Sequence, residues 1–312
     1  MQARLSGRDL VLILAVVALW GYSFVLIKVA LREVPPFALA ALRFLFAAIP
    51  VCLVVRPPAM PAWGVIGYGL AIGVMQFGLL FLGMKLGMPA GISSLVVQVQ
   101  VFFTMGLAAL VLHDRLARHN IIGSVIAAVG VVVLGAYKVA SGATTTFAGF
   151  LIVLVAAVGW AIGNVIAKRA AGNHAADMFA LVVWSSLAPV LPLAAMSYAL
   201  EGGATAWHAV RTMSATAWVC VLAMAYAATL FGFGTWNRLL HRYPTGLISP
   251  FALLVPVTGL ASGVLFLGET VALAQTVGAL LVLAGLLVNV YGARWTTPRR
   301  GTLSETPPSS RR

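Results

Sequence analysis

Uncharged apolar runs of about twenty residues recur along nearly the whole chain, the length an α-helix needs to cross the ~30 Å hydrocarbon layer of a bilayer. Ten are legible, near residues 10–31, 36–55, 63–84, 89–112, 120–137, 147–167, 178–199, 213–237, 244–267 and 271–292. With 62% hydrophobic and only 9% charged residues, the chain cannot clothe an ordinary water-facing surface, so the apolar excess must face lipid. The runs are apolar all round and lack the alternation of a membrane-barrel strand. The expected fold is all-α integral membrane, with ten transmembrane helices.

Orientation follows from the basic residues. With the amino terminus inside, the cytoplasmic segments hold Arg4, Arg8, Arg56, Arg115, Arg118, Lys168, Arg169, Arg238, Arg242 and every basic residue from Arg294 onward. The external side holds only Lys28, Arg32, Lys85, Lys138 and Arg211. This bias predicts that both termini are cytoplasmic. It also accounts for the net charge of +13 without a nucleic-acid partner, because the basic residues are scattered over short loops and a tail. The first span is followed by no small-residue cleavage site and reads as an uncleaved helix that doubles as the insertion signal. Residues 294–312, rich in Thr, Ser, Pro and Arg, read as a disordered cytoplasmic tail.

The chain repeats itself. At one constant offset, Pro89, Gly91, Ser94, Gly123 and Gly130 recur as Pro244, Gly246, Ser249, Gly278 and Gly285, with Glu269 in the place of Asp114. Nearer the start of each half, Trp20 pairs with Trp160 and Lys28 with Lys168. These matches divide the chain into a first five-helix repeat over 1–138 and a second over 139–293. Five is odd, so the second copy enters the membrane from the opposite side, and the repeats are inverted. That construction is common in secondary transporters, where a midplane site between the halves opens to each side in turn.

Small residues at four-residue spacing, Gly69 with Gly73, Gly83 with Gly87 and Gly91, and Gly159 with Gly163, suit close helix packing in lipid. Pro50, Pro189, Pro192, Pro250 and Pro256 lie inside spans, where each removes a backbone hydrogen bond and can kink its helix.

Polar side chains at membrane depth carry the sharpest functional signal, because lipid offers them no partner. Arg43 lies about two turns below the outer end of the second span, with no acidic residue expected at its depth. Two roles are open to it: pairing with a solute carboxylate, or bonding backbone carbonyls and snorkelling outward. Gln98 and Gln100, in the fourth span, are ~200° apart on a helix and cannot both line one cavity. Gln98 is the favoured one. Trp160 and Asn164 are one turn apart in the sixth span, an aromatic wall and a neutral amide that suit a zwitterion. Trp20 and Phe24 occupy the matching positions of the first half, as cavity wall or repeated packing contact. Gln76, Trp184, Tyr226 and Asn237 are weaker candidates.

No span supplies a nucleophile with a base, paired carboxylates or a metal cluster, so catalysis and a cofactor are not expected. Cys52 and Cys220 fall in opposite leaflet halves without CxxC or Cys/His spacing, which argues against a disulfide or a metal site. All five His and all seven acidic residues lie at span ends or in loops. A buried proton carrier is therefore not visible, and transport down the solute's own gradient is the expectation.

Several segments together resemble the EamA-type drug/metabolite transporter superfamily, over all ten spans. They are Trp20-Gly21-Tyr22-Ser23-Phe24, Leu42-Arg43-Phe44, Asp114-Arg115-Leu116, Trp160-Ala161-Ile162-Gly163-Asn164, Val183-Trp184-Ser185 and Leu254-Val255-Pro256-Val257. Gly87-Met88-Pro89-Ala90-Gly91, with the run from Gln98 to Thr104, is similar to the O-acetylserine/cysteine exporter branch. The family's glycine-glutamate motif stands whole as Gly268-Glu269 and altered as His113-Asp114, where folding consequences are expected. The resemblance implies a multi-pass inner-membrane exporter of cysteine-pathway metabolites and related amino acids. Arg43, Gln98, Trp160 and Asn164 would orient the solute in a midplane cavity. A broader drug or aromatic-metabolite exporter is the alternative within transport. A membrane sensor or scaffold would need an extramembrane domain that this sequence does not contain.

Overall fold

Helices start where the sequence supplies a cap or a proline. A computed structural model describes residues 6–111, 113, 117–140, 144–171, 177–243 and 248–296, and among these every regular element is helical. Ser6 caps α1 (Gly7–Ala30), its hydroxyl accepting from the Asp9 amide at 3.1 Å. Pro35, Pro61 and Pro89 immediately precede α2 (Pro36–Ala48), α3 (Ala62–Gly69) and α5 (Ala90–Val97). Proline fits there because the first helical amides have no intrahelical acceptor. Between α3 and α4 (Leu79–Lys85) the chain widens into π-helical turns over Leu70–Gly78, while α6 (Gln100–Val111) resumes the fourth run after a break at Gln98 and Val99. α7 (Arg118–Ala140) ends the first half.

The second half comprises α8 (Thr144–Ala171), α9 (Met178–Ser185), α10 (Val190–Met196), α11 (Gly203–Thr212), α12 (Ala215–Leu222), α13 (Gly232–Arg242), α14 (Leu254–Leu267) and α15 (Leu273–Thr296). π-helical turns join α10 to α11 over Ser197–Gly202 and α12 to α13 over Ala223–Phe231. The helical stretch starting at Met178 therefore continues to Thr212, well beyond the boundary expected near residue 199. Among the described residues, eight helical stretches are long and apolar enough to cross a membrane, and Arg118–Leu134 and Phe251–Leu267 are shorter apolar helices. The protein is a multi-pass membrane protein. The expectations at Asp114, at Pro244 and Gly246, and for the tail beyond residue 296 lie outside the described residues, as does the side chain of Asn237.

Packing is reciprocal between the halves. α1 lies against α12, α13 and α14, whereas α8 lies against α3, α4, α5 and α6; α2 meets α10, and α7 meets α15. Glycines let the backbones touch. A Cβ at Gly123 would stand 2.6 Å from the Gly285 carbonyl oxygen, and one at Gly130 would stand 2.7 Å from that of Gly278. Because 123 faces 285 while 130 faces 278, α7 and α15 run antiparallel. Gly21 meets Thr258 and Gly259, Gly83 meets Gly149, and Gly159 meets Gln76. The glycine stripes legible in the sequence thus lie at helix contacts.

The acidic residues work as helix caps. Glu269 accepts from the amides of Ala90 and Gly91 at the start of α5, and Glu201 from those of Phe37 and Ala38 at the start of α2. Glu33 accepts from the amide and hydroxyl of Ser214, the residue capping α12, at 2.6 and 2.7 Å. Those bonds hold the Glu33 carboxyl below its ordinary range. Asp177 caps its own helix, α9. Asp9 accepts from Ser6 and from the Tyr243 hydroxyl and pairs with Arg242 at 3.2 Å. Each carboxylate meets the positive end of a helix dipole or a cation, which leaves the interior without a described acid.

Candidate functional site

Arg43 sits in mid α2, 3% exposed. Its guanidinium carbon lies 3.8 Å from the Phe77 ring centroid and 5.9 Å from that of Phe44. One terminal nitrogen, Nη2, donates to Thr229 Oγ1 at 3.1 Å. Nε and Nη1 are buried and find no partner among the described residues. Contact with an aromatic face offsets part of the desolvation of a cation, but a buried unpaired donor still costs about 1–3 kcal/mol. Two such donors on one guanidinium are a feature that packing does not explain.

Arg43 lines a small cavity of about 20 Å³ together with Phe44, Tyr68, Gly69, Ile72, Phe77, Val182, Ser185, Ser186, Thr229 and Phe233. That volume holds roughly one water. Its walls come from the irregular parts of the helices. Ile72 and Phe77 belong to the π-helical turns of Leu70–Gly78, and Thr229 to those of Ala223–Phe231. Ser185 and Ser186 mark the place where α9 stops, ahead of Pro189. A side chain at Gly69 would strike the Ser185 carbonyl, and one at Gly73 would strike Pro189, so only glycine lets these segments meet. Non-α backbone within a membrane bundle is tolerated where it lines a cavity, and π turns often mark functional sites.

Three hydroxyls around the cavity are committed as donors. Thr229 donates to the Met224 carbonyl at 2.9 Å, and Ser185 and Ser186 both donate to the Val182 carbonyl, at 3.3 and 2.6 Å. Their oxygens retain lone pairs, so towards the cavity they can only accept. Behind this wall stands Trp20, whose indole N–H donates to the Ala228 carbonyl at 2.8 Å and whose ring lies 5.2 Å from that of Phe233. Trp20 thus buttresses a lining residue. Phe24 is buried in the main apolar core.

A second polar cluster lies between α6 and α8. The Asn164 amide donates to Gln100 Oε1 at 3.0 Å and to Thr104 Oγ1 at 3.2 Å, and Thr104 donates to Gln100 at 3.0 Å. Asn164 therefore joins Gln100, whereas Gln98, at the break between α5 and α6, donates to the Ala252 carbonyl at 3.3 Å. Trp160 is half-buried against the main core, and Gln76 is buried in the π-helical turns. Trp184 donates its indole N–H to the Val55 carbonyl at 2.9 Å. Among the described residues proposed from the sequence for the solute site, Arg43 alone lines this cavity.

Sequence reasoning did not single out Tyr68, Phe77, Ser185, Ser186, Thr229 or Phe233. The adjacent serines inside an apolar run, shortly before Pro189, were the available signal. Among the described residues, no group of three or more His, Cys, Asp or Glu lies close enough to hold a metal ion.

Comparisons with known proteins agree with this architecture. The chain is 43% identical to a protein of Salmonella typhimurium named a probable amino-acid metabolite efflux pump, over 93% of this chain and 97% of the relative. It is 41% identical to one of the same name from Escherichia coli K12, with the same coverage. One crystal structure of a protein, 21% identical, matches the fold with a TM-score of 0.60 over 93% of this chain and 99% of that one. A model of the EamA-like transporter family matches twice, at residues 8–136 and again at 147–291. With both halves matched, the chain belongs to the EamA-like transporter family.

Proposed function

We propose that this protein exports small amino-acid metabolites of the class of cysteine and O-acetylserine, by alternating access through ten transmembrane helices built as two inverted repeats. The two family matches, at 8–136 and 147–291, support repeats of five helices each. Reciprocal packing supports their inversion: the contact of Gly123 with Gly285 becomes that of Gly278 with Gly130 when the halves are exchanged. Two relatives above 40% identity carry names that specify amino-acid metabolite efflux. Residence in the inner membrane with both termini cytoplasmic fits the basic-residue bias.

The observation that carries the reading is Arg43, a buried cation with two unpartnered donors that lines a cavity walled by interrupted helices. Interrupted helices at the midplane are where transporters of inverted-repeat construction bind their solutes. At about 20 Å³ the cavity is narrower than any amino acid, so the solute enters only as α2, α9 and the two π-helical segments separate. The Gln100–Thr104–Asn164 cluster supplies amide and hydroxyl groups along α6 and α8, and Gln98, Trp160, Gln76, Trp20, Phe24 and Trp184 complete the candidate set.

Reconstituted vesicles loaded with labelled L-cysteine and O-acetylserine test this directly. Wild-type protein is expected to release the label faster than protein-free vesicles, and Asn164→Ala or Gln98→Ala to release it more slowly at equal membrane abundance. Equal release from wild-type and empty vesicles would refute the exporter reading; normal release by both variants would remove those residues from the site. The aromatic wall of Phe44, Tyr68, Phe77 and Phe233 favours one second reading, export of aromatic solutes. Competition of labelled cysteine efflux by phenylalanine separates the two.

A further inference from the structure

We infer that the Arg43 cavity reads both charged ends of an α-amino acid, with Arg43 binding the carboxylate and the oxygens of Ser185 and Ser186 accepting from the ammonium group. This inference rests on the exporter reading and deepens it.

Three observations carry the inference. First, the guanidinium stacks its face on Phe77, which turns its N–H edges rather than its plane to other partners. Of those edges Nη2 is held by Thr229, and Nε and Nη1 are left to an incoming acceptor. Each fork of a guanidinium pairs Nη2 with either Nε or Nη1, so a carboxylate takes two parallel bonds through the Nη2 hydrogen that Thr229 leaves free and the neighbouring unpartnered nitrogen, a match that a neutral ester or amide oxygen cannot reproduce. Among the described residues no acid lies at this depth to take that place: the carboxylates of Asp9, Glu33, Asp177, Glu201 and Glu269 all stand at helix ends.

Second, Ser185 and Ser186 are 3% and 2% exposed and have given their protons to the Val182 carbonyl. A hydroxyl fixed as a donor to its own helix presents only lone pairs, which complement an ammonium group and not a second carboxylate. Donors lie on α2 and acceptors at the end of α9, and both line one cavity. Third, apart from Thr229, which already holds Nη2, and the Tyr68 hydroxyl, the remaining lining is apolar, so the cavity holds one cation and one pair of serine acceptors for the two charged ends of a solute. The sulfhydryl or acetyl group of the solute faces those apolar walls.

The consequence is a strict requirement for both a free carboxylate and a free amine. Thermal stabilisation of the detergent-purified full chain reads binding without transport. The probes are L-cysteine, L-cysteine methyl ester and 3-mercaptopropionate, which lack nothing, the carboxylate charge and the amine respectively. The expected result is stabilisation by L-cysteine at concentrations at least about tenfold below those needed for either analogue. Arg43→Lys should weaken L-cysteine binding while leaving the ester unaffected. The double variant Ser185→Ala, Ser186→Ala should lose the preference for cysteine over 3-mercaptopropionate.

Equal stabilisation by the methyl ester overturns the carboxylate assignment, and unchanged discrimination in the serine variant overturns the ammonium assignment. The ligand series on wild-type protein decides the matter even if a variant fails to fold. Efflux from vesicles separates this inference from the exporter reading. Efflux of ester and amino acid at equal rates sinks the inference alone, whereas selective binding without any efflux sinks the exporter reading alone.

Discussion

Glu33 ties the loop after α1 to the start of α12 through two bonds to Ser214, and those bonds make its contribution depend on pH. Its carboxyl titrates below the ordinary value of 4.5 in the folded protein, so the bonds add stability above that value. The contribution disappears as pH falls through the lowered folded value. The thermal midpoint of wild-type protein should exceed that of Glu33→Gln near neutral pH and converge on it as pH falls below the lowered folded value. A gap that persists unchanged in acid would show that the charge of Glu33 is not what holds Ser214. Arg43 was legible in part: its place in mid-span and the lack of an acid at its depth follow from the sequence, whereas its burial with two unpartnered donors, in place of bonds to backbone carbonyls, is seen only in the structure. Its partners were not legible, because Phe77 and Thr229 come from distant segments, and aromatic or threonine residues inside a span look like ordinary packing. For Asn164 the sequence offered two glutamines a half-turn apart, and only the break at Gln98 and Val99 decides that Gln100 reaches it.

At the scale of elements, the helical segments were legible because lipid forces apolar runs, and the loops because Pro35, Pro61, Pro89, Asp177 and Ser214 mark helix starts. The π-helical turns were not legible. Those of Leu70–Gly78 lie where Gly69 and Gly73 fit against Ser185 and Pro189, a tertiary fit without a local signature. The Gly268-Glu269 pair shows how a short motif works at this scale. Gly268 adopts a left-handed conformation (φ 64°) that ends α14, and the turn carries Glu269 back onto the first amides of α5. Glu269→Ala removes a charged cap from a helix start and is expected to cost about 1–2 kcal/mol of stability. Lowered thermal stability with cysteine binding retained by the folded fraction is the expected outcome. Loss of binding in fully folded protein would instead give Glu269 a part in the solute site.

For the whole molecule, the constant offset between halves was visible in Gly123, Gly130, Gly278 and Gly285, but not that these glycines would face one another across the α7–α15 contact. An offset states which residues are equivalent; it does not state which ones touch. The carboxylate caps add a connection of the same kind. Glu201 and Glu269 belong to the second half and close helices of the first, while Glu33 of the first closes α12 of the second. Expressed as separate pieces split between residues 140 and 144, each half is expected to be degraded alone and to accumulate when both are made together. Independent accumulation of either piece in the membrane would refute that dependence.

The order of synthesis gives the crossed caps a further meaning. When the ribosome has finished the first half, α2 and α5 have been inserted, but Glu201 and Glu269, which cover their bare amides, have yet to be translated. The early half waits in the bilayer with two open helix ends, and they are covered only by carboxylates translated after it.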